Sequence, residues 1–104
     1  MSSFIVNIDE SNAAQLLIDE SHKRPVVVDF WADWCEPCKV LMPLLEQIAN
    51  EYKGAFLLAK VNADDQQMIA QQFGVRSLPT VMVMQNGQPV DGFAGAQPEA
   101  QVRQ

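Results

Sequence analysis

The chain has 104 residues, of which 48% are hydrophobic and 19% charged, the composition of one ordinary globular domain. Thirteen acidic residues against seven basic ones leave a net charge of -6. That balance excludes the basic footprint of a nucleic-acid binder and disfavours an anionic membrane surface, and no apolar run approaches the roughly 20 residues of a spanning helix.

The opening Met1-Ser2-Ser3-Phe4 has neither the basic segment nor the apolar segment of a secretory leader, so the expected compartment is the cytosol. Residues 4–8 form a short apolar stretch and a weak strand. Asp9, a residue type that caps helices, precedes a helix carrying Ala13, Leu16 and Leu17. Pro25 opens Val26-Val27-Val28-Asp29-Phe30-Trp31, a continuous β-branched and aromatic run. Such a run predicts a central strand covered on both faces.

From Cys38 the apolar positions fall at Leu41, Met42, Leu45, Ile48, Ala49 and Tyr52, a helical period. Pro43 should kink this helix and Gly54 should end it. Residues 55–61 read as a second buried strand. Asp64 or Asp65 is expected to cap a short helix through Met68, Ile69 and Phe73, closed by Gly74. Residues 80–84 form a strand, Asn86-Gly87 a hairpin turn, and residues 90–94 the returning strand. Gln97-Pro98-Glu99 resembles a helix start. The order is β-α-β-α-β-α-β-β-α. It predicts an α/β domain with one mixed sheet sandwiched between helices, parallel early and antiparallel at the late hairpin.

The two cysteines are Cys35 and Cys38. Closing so short a loop gives only about 2 kcal/mol in the chain-entropy model, too little for a bond placed for stability. The pair is therefore reactive or metal-binding. A zinc site needs two further ligands, yet there is no third cysteine, and His22 is the only histidine, in a charged loop. Cys35 sits where a buried strand gives way, through a short turn, to a helix. Free backbone N–H groups and the positive dipole end stabilise a thiolate there. Cys38 follows one turn later on the same face, within reach of a disulfide. One cysteine is expected to be exposed and nucleophilic, the other more buried and resolving. Asp29 lies in a run with no polar face, so burial should raise its pKa and suit it to proton transfer. Met42, Met68, Met82 and Met84 are read as core packing.

The segment Val28-Asp29-Phe30-Trp31-Ala32-Asp33-Trp34-Cys35-Glu36-Pro37-Cys38-Lys39 resembles the active-site segment of the thioredoxin family. The similarity continues through Pro43, Ala59-Lys60-Val61-Asn62, Phe73-Gly74-Val75-Arg76-Ser77-Leu78-Pro79-Thr80, Asn86-Gly87 and Gly95-Ala96, nearly the whole chain. It implies the thioredoxin fold and protein-disulfide reduction by thiol–disulfide exchange. No cofactor is implied beyond a redox-active Cys35-Cys38 disulfide. The implied partners are disulfide-containing proteins and a reductase. By position, Cys35 is the implied attacking thiol and Cys38 the resolving thiol. Asp29 is the implied buried acid, Lys60 its neighbouring cation, and Pro79 a cis-proline facing the cysteines. Trp34, Leu78, Pro79, Ala94, Gly95 and Ala96 are the implied apolar surface that docks substrate. Glu36 stands where the family commonly has glycine. Its carboxylate opposes thiolate formation at Cys35, so Glu36 and Pro37 are expected to tune redox behaviour, and Glu36 to select partners by charge.

A narrower resemblance joins residues 67–76 and 85–93 to the N-terminal domain of the chaperedoxins, co-chaperones in which tetratricopeptide-like helices follow a thioredoxin domain. It implies that residues 1–104 are the N-terminal part of a longer cytoplasmic protein that holds unfolding clients and passes them to chaperonin.

Overall fold

In the computed structural model, which describes residues 4–94, the strands are β1 (Ile5–Asn7), β2 (Val26–Trp31), β3 (Leu57–Asn62), β4 (Thr80–Gln85) and β5 (Gln88–Ala94). They form one sheet in the order β1-β3-β2-β4-β5, so the β-branched run of β2 is its central strand. β1 and β2 both pair with β3 in parallel, whereas β4 pairs antiparallel with β2 and with β5.

Alternation along β2 sends its apolar residues to two different cores. Val26, Val28 and Phe30 pack with Leu57, Ala59 and Val61 of β3 beneath Leu17, Ile69 and Ala70. Val27 lies on the opposite face with Leu58 and Val81, under Leu41, Leu45 and Ala49. Those last three belong to α1 (Glu36–Glu51), and Ile69 and Ala70 belong to α2 (Gln67–Gln72). The expected sandwich is therefore present, and among the described residues α1 is the helix that covers the face carrying the odd-numbered residues of β2.

Asp9 behaves as a capping residue. Its Oδ1 accepts the backbone N–H of Ser11 at 2.8 Å and of Asn12 at 3.2 Å, and its own N–H donates to Asn12 Oδ1 at 2.8 Å. The segment that follows is π-helical over Ala14–Asp19 and tightens into a 3₁₀ turn over Glu20–His22. His22 is exposed there, as expected. Helix α1 stays one element through Pro43 and ends where Lys53 and Gly54 take φ of 50° and 86°. Asn86 (φ 55°) and Gly87 (φ 80°) make the primed turn of the β4–β5 hairpin, in which β5 starts at Gln88, before the expected residue 90.

Two expectations are corrected. Neither Asp64 nor Asp65 caps α2. Its N-cap is Gln66, which makes no side-chain cap bond, and the Asp64 carboxylate instead accepts the indole N–H of Trp34 at 2.9 Å. Met68 is exposed rather than core, since α2 buries only Ile69 and Ala70. Of the other methionines, Met84 is buried and Met42 and Met82 are half-buried. The expected helix start at Gln97-Pro98-Glu99 lies outside the described residues.

Candidate active site

Strand β2 ends at Trp31, and Ala32-Asp33-Trp34 turn the chain into α1. Cys35 is the N-cap of α1, with extended φ and ψ of -88° and 103°, and Glu36 and Pro37 fill the first turn. The fixed φ of proline suits that position, and an acidic side chain favours the positive helix end. Cys35 and Cys38 are joined in a disulfide with their Cα atoms 5.3 Å apart. The backbone N–H of Cys38 donates to Cys35 Sγ at 3.2 Å. A sulfur placed to accept a helix-end N–H is also placed to have its thiolate stabilised after reduction.

Both sulfur residues are buried, which corrects the expectation of one exposed cysteine. Cys35 keeps 3% of its surface and Cys38 none. The disulfide draws Cys35 against the helix start, so the asymmetry between the two lies in placement more than in area. The side chain of Glu36 is 82% exposed and pairs with Lys39 Nζ at 3.4 Å, so the charge next to Cys35 has its own counter-ion.

Asp29 lies fully buried in the centre of the sheet, opposite Lys60 on β3 and Val81 on β4. Alternation with Val27 turns it toward α1, the helix whose first turn holds Cys38. Neither carboxylate oxygen has a hydrogen-bond partner. Burial pushes its pKa up from 3.8 to about 7, against the pull of the Lys60 ammonium and with a further push from the Glu46 carboxylate. Asp29 is thus able to gain and lose a proton near neutral pH.

Lys60 is where the resemblance puts it, level with Asp29, but its ammonium goes elsewhere. Nζ pairs with Glu46 Oε2 of α1 at 3.1 Å. Reading the sequence missed Glu46. The available signal was a lysine on a buried strand, since a cation in such a place requires a counter-charge.

Pro79 is fully buried and follows a cis Leu78-Pro79 peptide bond. Phe30 pairs with Thr80 in the antiparallel β2–β4 register, which puts Pro79 at the Trp31 end of the sheet, the end from which the chain enters Cys35. Trp34 is 66% exposed, and its indole N–H donates to Asp64 Oδ2 at 2.9 Å. Leu78 is half-buried against the core under α2. Ala94 closes β5 opposite Thr80. Gly95, Ala96 and the side chain of Ala94 lie outside what is described. Among the described residues, no group of three or more His, Cys, Asp or Glu side chains is placed to hold a metal ion.

The Thioredoxin family model matches residues 5–104. The chain is 39% identical to "Thioredoxin 1" of Nostoc sp. over 102 residues, 98% of this chain and 94% of that protein. It is 38% identical to "Thioredoxin" of Haemophilus influenzae over 100 residues, 96% of this chain and 92% of that protein. Over 76 residues, 73% of this chain and 70% of the relative, it is 46% identical to "Thioredoxin" of Chlorobaculum thiosulfatiphilum. The chain belongs to the thioredoxin family, and its bridged Cys35 and Cys38 make it a thiol–disulfide oxidoreductase of that type.

Proposed function

We propose that the chain reduces disulfides of cytosolic proteins, with Cys35 as the attacking thiol, Cys38 as the resolving thiol and Asp29 as the acceptor of the Cys38 proton. The observation that carries this reading is the place of Cys35 at the N-cap of α1, with Cys38 behind it and a buried, unpartnered Asp29 on the sheet face below.

In the reduced state the Cys35 thiolate, favoured by the helix terminus, attacks one sulfur of a substrate disulfide. A Cys35–substrate bond forms, the substrate S–S bond breaks, and the departing substrate thiolate takes a proton from solvent. Cys38 then gives its proton to the Asp29 carboxylate, and the Cys38 thiolate attacks Cys35 Sγ. The mixed disulfide breaks, and the second substrate sulfur leaves as a thiolate that takes up the proton Asp29 then releases. Two electrons have passed to the substrate, and the chain is left with the Cys35-Cys38 disulfide. A dithiol reductant, supplied in cells by a reductase, restores it. Exposed Trp34 and half-buried Leu78 supply apolar surface against which substrate docks.

The test is reduction of a protein disulfide in the presence of a dithiol, followed by turbidity as the reduced chains precipitate. Cys35→Ser should be inactive, and Cys38→Ser should accumulate a mixed disulfide visible by intact mass. Turnover by Cys35→Ser would reverse the assignment.

A second reading takes the chain as the thioredoxin domain of a chaperedoxin-like co-chaperone that delivers clients to chaperonin. It rests on residues 67–76 and 85–93, where exposed Met68 on α2 and exposed Val90 on edge strand β5 offer apolar contacts. Suppression of client aggregation by the product of the whole native gene, but not by residues 1–104, supports this reading. A stop codon directly after Gln104 rules it out.

A further inference from the structure

Lys60 stands between two carboxylates and serves one of them. It is the cross-strand neighbour of Asp29, and alternation with Leu58 turns it to the α1 side of the sheet. Its Nζ nevertheless lies 3.1 Å from Glu46 Oε2, while neither oxygen of Asp29 has a hydrogen-bond partner. The Lys60 side chain is 16% exposed and that of Glu46 37%, so the pair sits at the mouth of the layer whose floor is Asp29. Among the described residues, the charged groups that act on Asp29 are Lys60 from β3 and Glu46 from α1. β4 presents Val81 opposite it, and its neighbours along its own face of β2 are Val27 and Trp31.

We propose that Glu46 is a positioning residue for disulfide exchange: it holds the Lys60 ammonium outward against α1 and so keeps Asp29 free of an ion pair and available to accept the Cys38 proton. A carboxylate with an ammonium beside it is a weaker base than one without. If Lys60 turned to Asp29, the acid would stay ionised to lower pH and would take a proton from a thiol less readily. One lysine with two possible partners is thus a control on the proton acceptor, set from the surface of α1. The inference rests on the reading that Asp29 receives the Cys38 proton.

The test combines two readouts. The first is the titration of Asp29 by carboxyl carbon NMR in the oxidised protein. The second is the pH profile of mixed-disulfide resolution in single-turnover reactions of the reduced protein with an aromatic disulfide. Glu46→Gln preserves shape and removes the charge. It should lower the Asp29 midpoint by about one pH unit and move the resolution profile to lower pH with it. Glu46→Asp should restore both. In a Lys60→Gln background, adding Glu46→Gln should move the midpoint less than it does in the wild type. An unchanged or raised midpoint in Glu46→Gln overturns the proposal. So does an equal shift with and without Lys60, because Glu46 would then act by its own charge alone. Asp29→Asn separates the two failures. If it resolves mixed disulfides at the wild-type rate, the Asp29 assignment itself falls. If it is slow while Glu46→Gln leaves the midpoint in place, only the role of Glu46 falls.

Discussion

The indole N–H of Trp34 donates to Asp64 Oδ2 at 2.9 Å, tying the turn that delivers Cys35 to the loop that precedes α2. The two residues are far apart in sequence, and Trp34 is otherwise held by little, being 66% exposed. A hydrogen bond of this kind contributes about 1 kcal/mol net. Asp64→Ala should therefore loosen the indole and weaken substrate docking without touching the sulfur chemistry. KM for a protein disulfide should rise about threefold to fivefold at unchanged kcat, the ratio that about 1 kcal/mol allows. Loss of kcat at unchanged KM would place the bond in the chemical step instead.

Asp29 should cost stability above neutral pH. Its folded pKa is raised from 3.8 to about 7, so between those values the folded state binds the proton that the unfolded state has lost. Stability therefore falls as pH rises from about 4 to about 7, then levels off. At about 1.4 kcal/mol per pH unit the full penalty is at most about 4 kcal/mol. Asp29→Ala removes it and leaves a small cavity. At pH 8 the variant should gain about 1–2 kcal/mol and unfold roughly 5–15 °C higher. At pH 4 the gain should vanish, and above about pH 7, where the Asp29 carboxylate is ionised and able to accept a proton, resolution of mixed disulfides should slow. Thermal melts across the pH range decide it. A variant destabilised at pH 8 means that Asp29 is structural.

Cys35 should be alkylated before Cys38 in the reduced protein near neutral pH. It is the N-cap, its sulfur accepts the Cys38 N–H at 3.2 Å, and it retains the little surface the pair has. Limited iodoacetamide treatment followed by peptide mapping checks the order. Preferential labelling of Cys38 would exchange the two roles.

Glu36→Gln should lower the pH at which Cys35 ionises and make the disulfide easier to reduce. The substitution removes a negative charge next to the sulfur and frees Lys39, its partner at 3.4 Å. Both changes favour the thiolate. Because Glu36 is a surface group, the difference between variant and wild type should shrink as ionic strength rises from about 0.01 M to 1 M. Titration of thiolate absorbance and equilibration with glutathione report the two effects. A higher midpoint in Glu36→Gln would mean that the carboxylate stabilises the thiolate.

Local sequence carried the elements because each is written in short-range chemistry. The β-branched run from Val26 to Val28 can serve only a strand covered on both sides. The period through Leu41, Leu45 and Ala49 gives one buried helix face, and Asn86-Gly87 accepts the positive φ of a tight hairpin. The spacing of Cys35 and Cys38 at a strand-to-helix junction is itself a statement about thiolate chemistry. The burial of Asp29 followed from its neighbours for the same reason.

What tertiary structure alone decided is long-range and electrostatic. Antiparallel pairing of β4 with β2 depends on how the chain returns after α2, and nothing within either strand specifies it. Capping of α2 went to Gln66 rather than to Asp64, whose carboxylate takes the indole N–H of Trp34, a long-range partner that propensity does not rank. The exposure of Met68 follows from how little of so short a helix can face the sheet. The partner of Lys60 was undecided until α1 crossed β3, since Glu46 and Asp29 both offered a carboxylate. A charge pair spans elements, and its choice is made by distances that exist only after the helix has packed on the sheet.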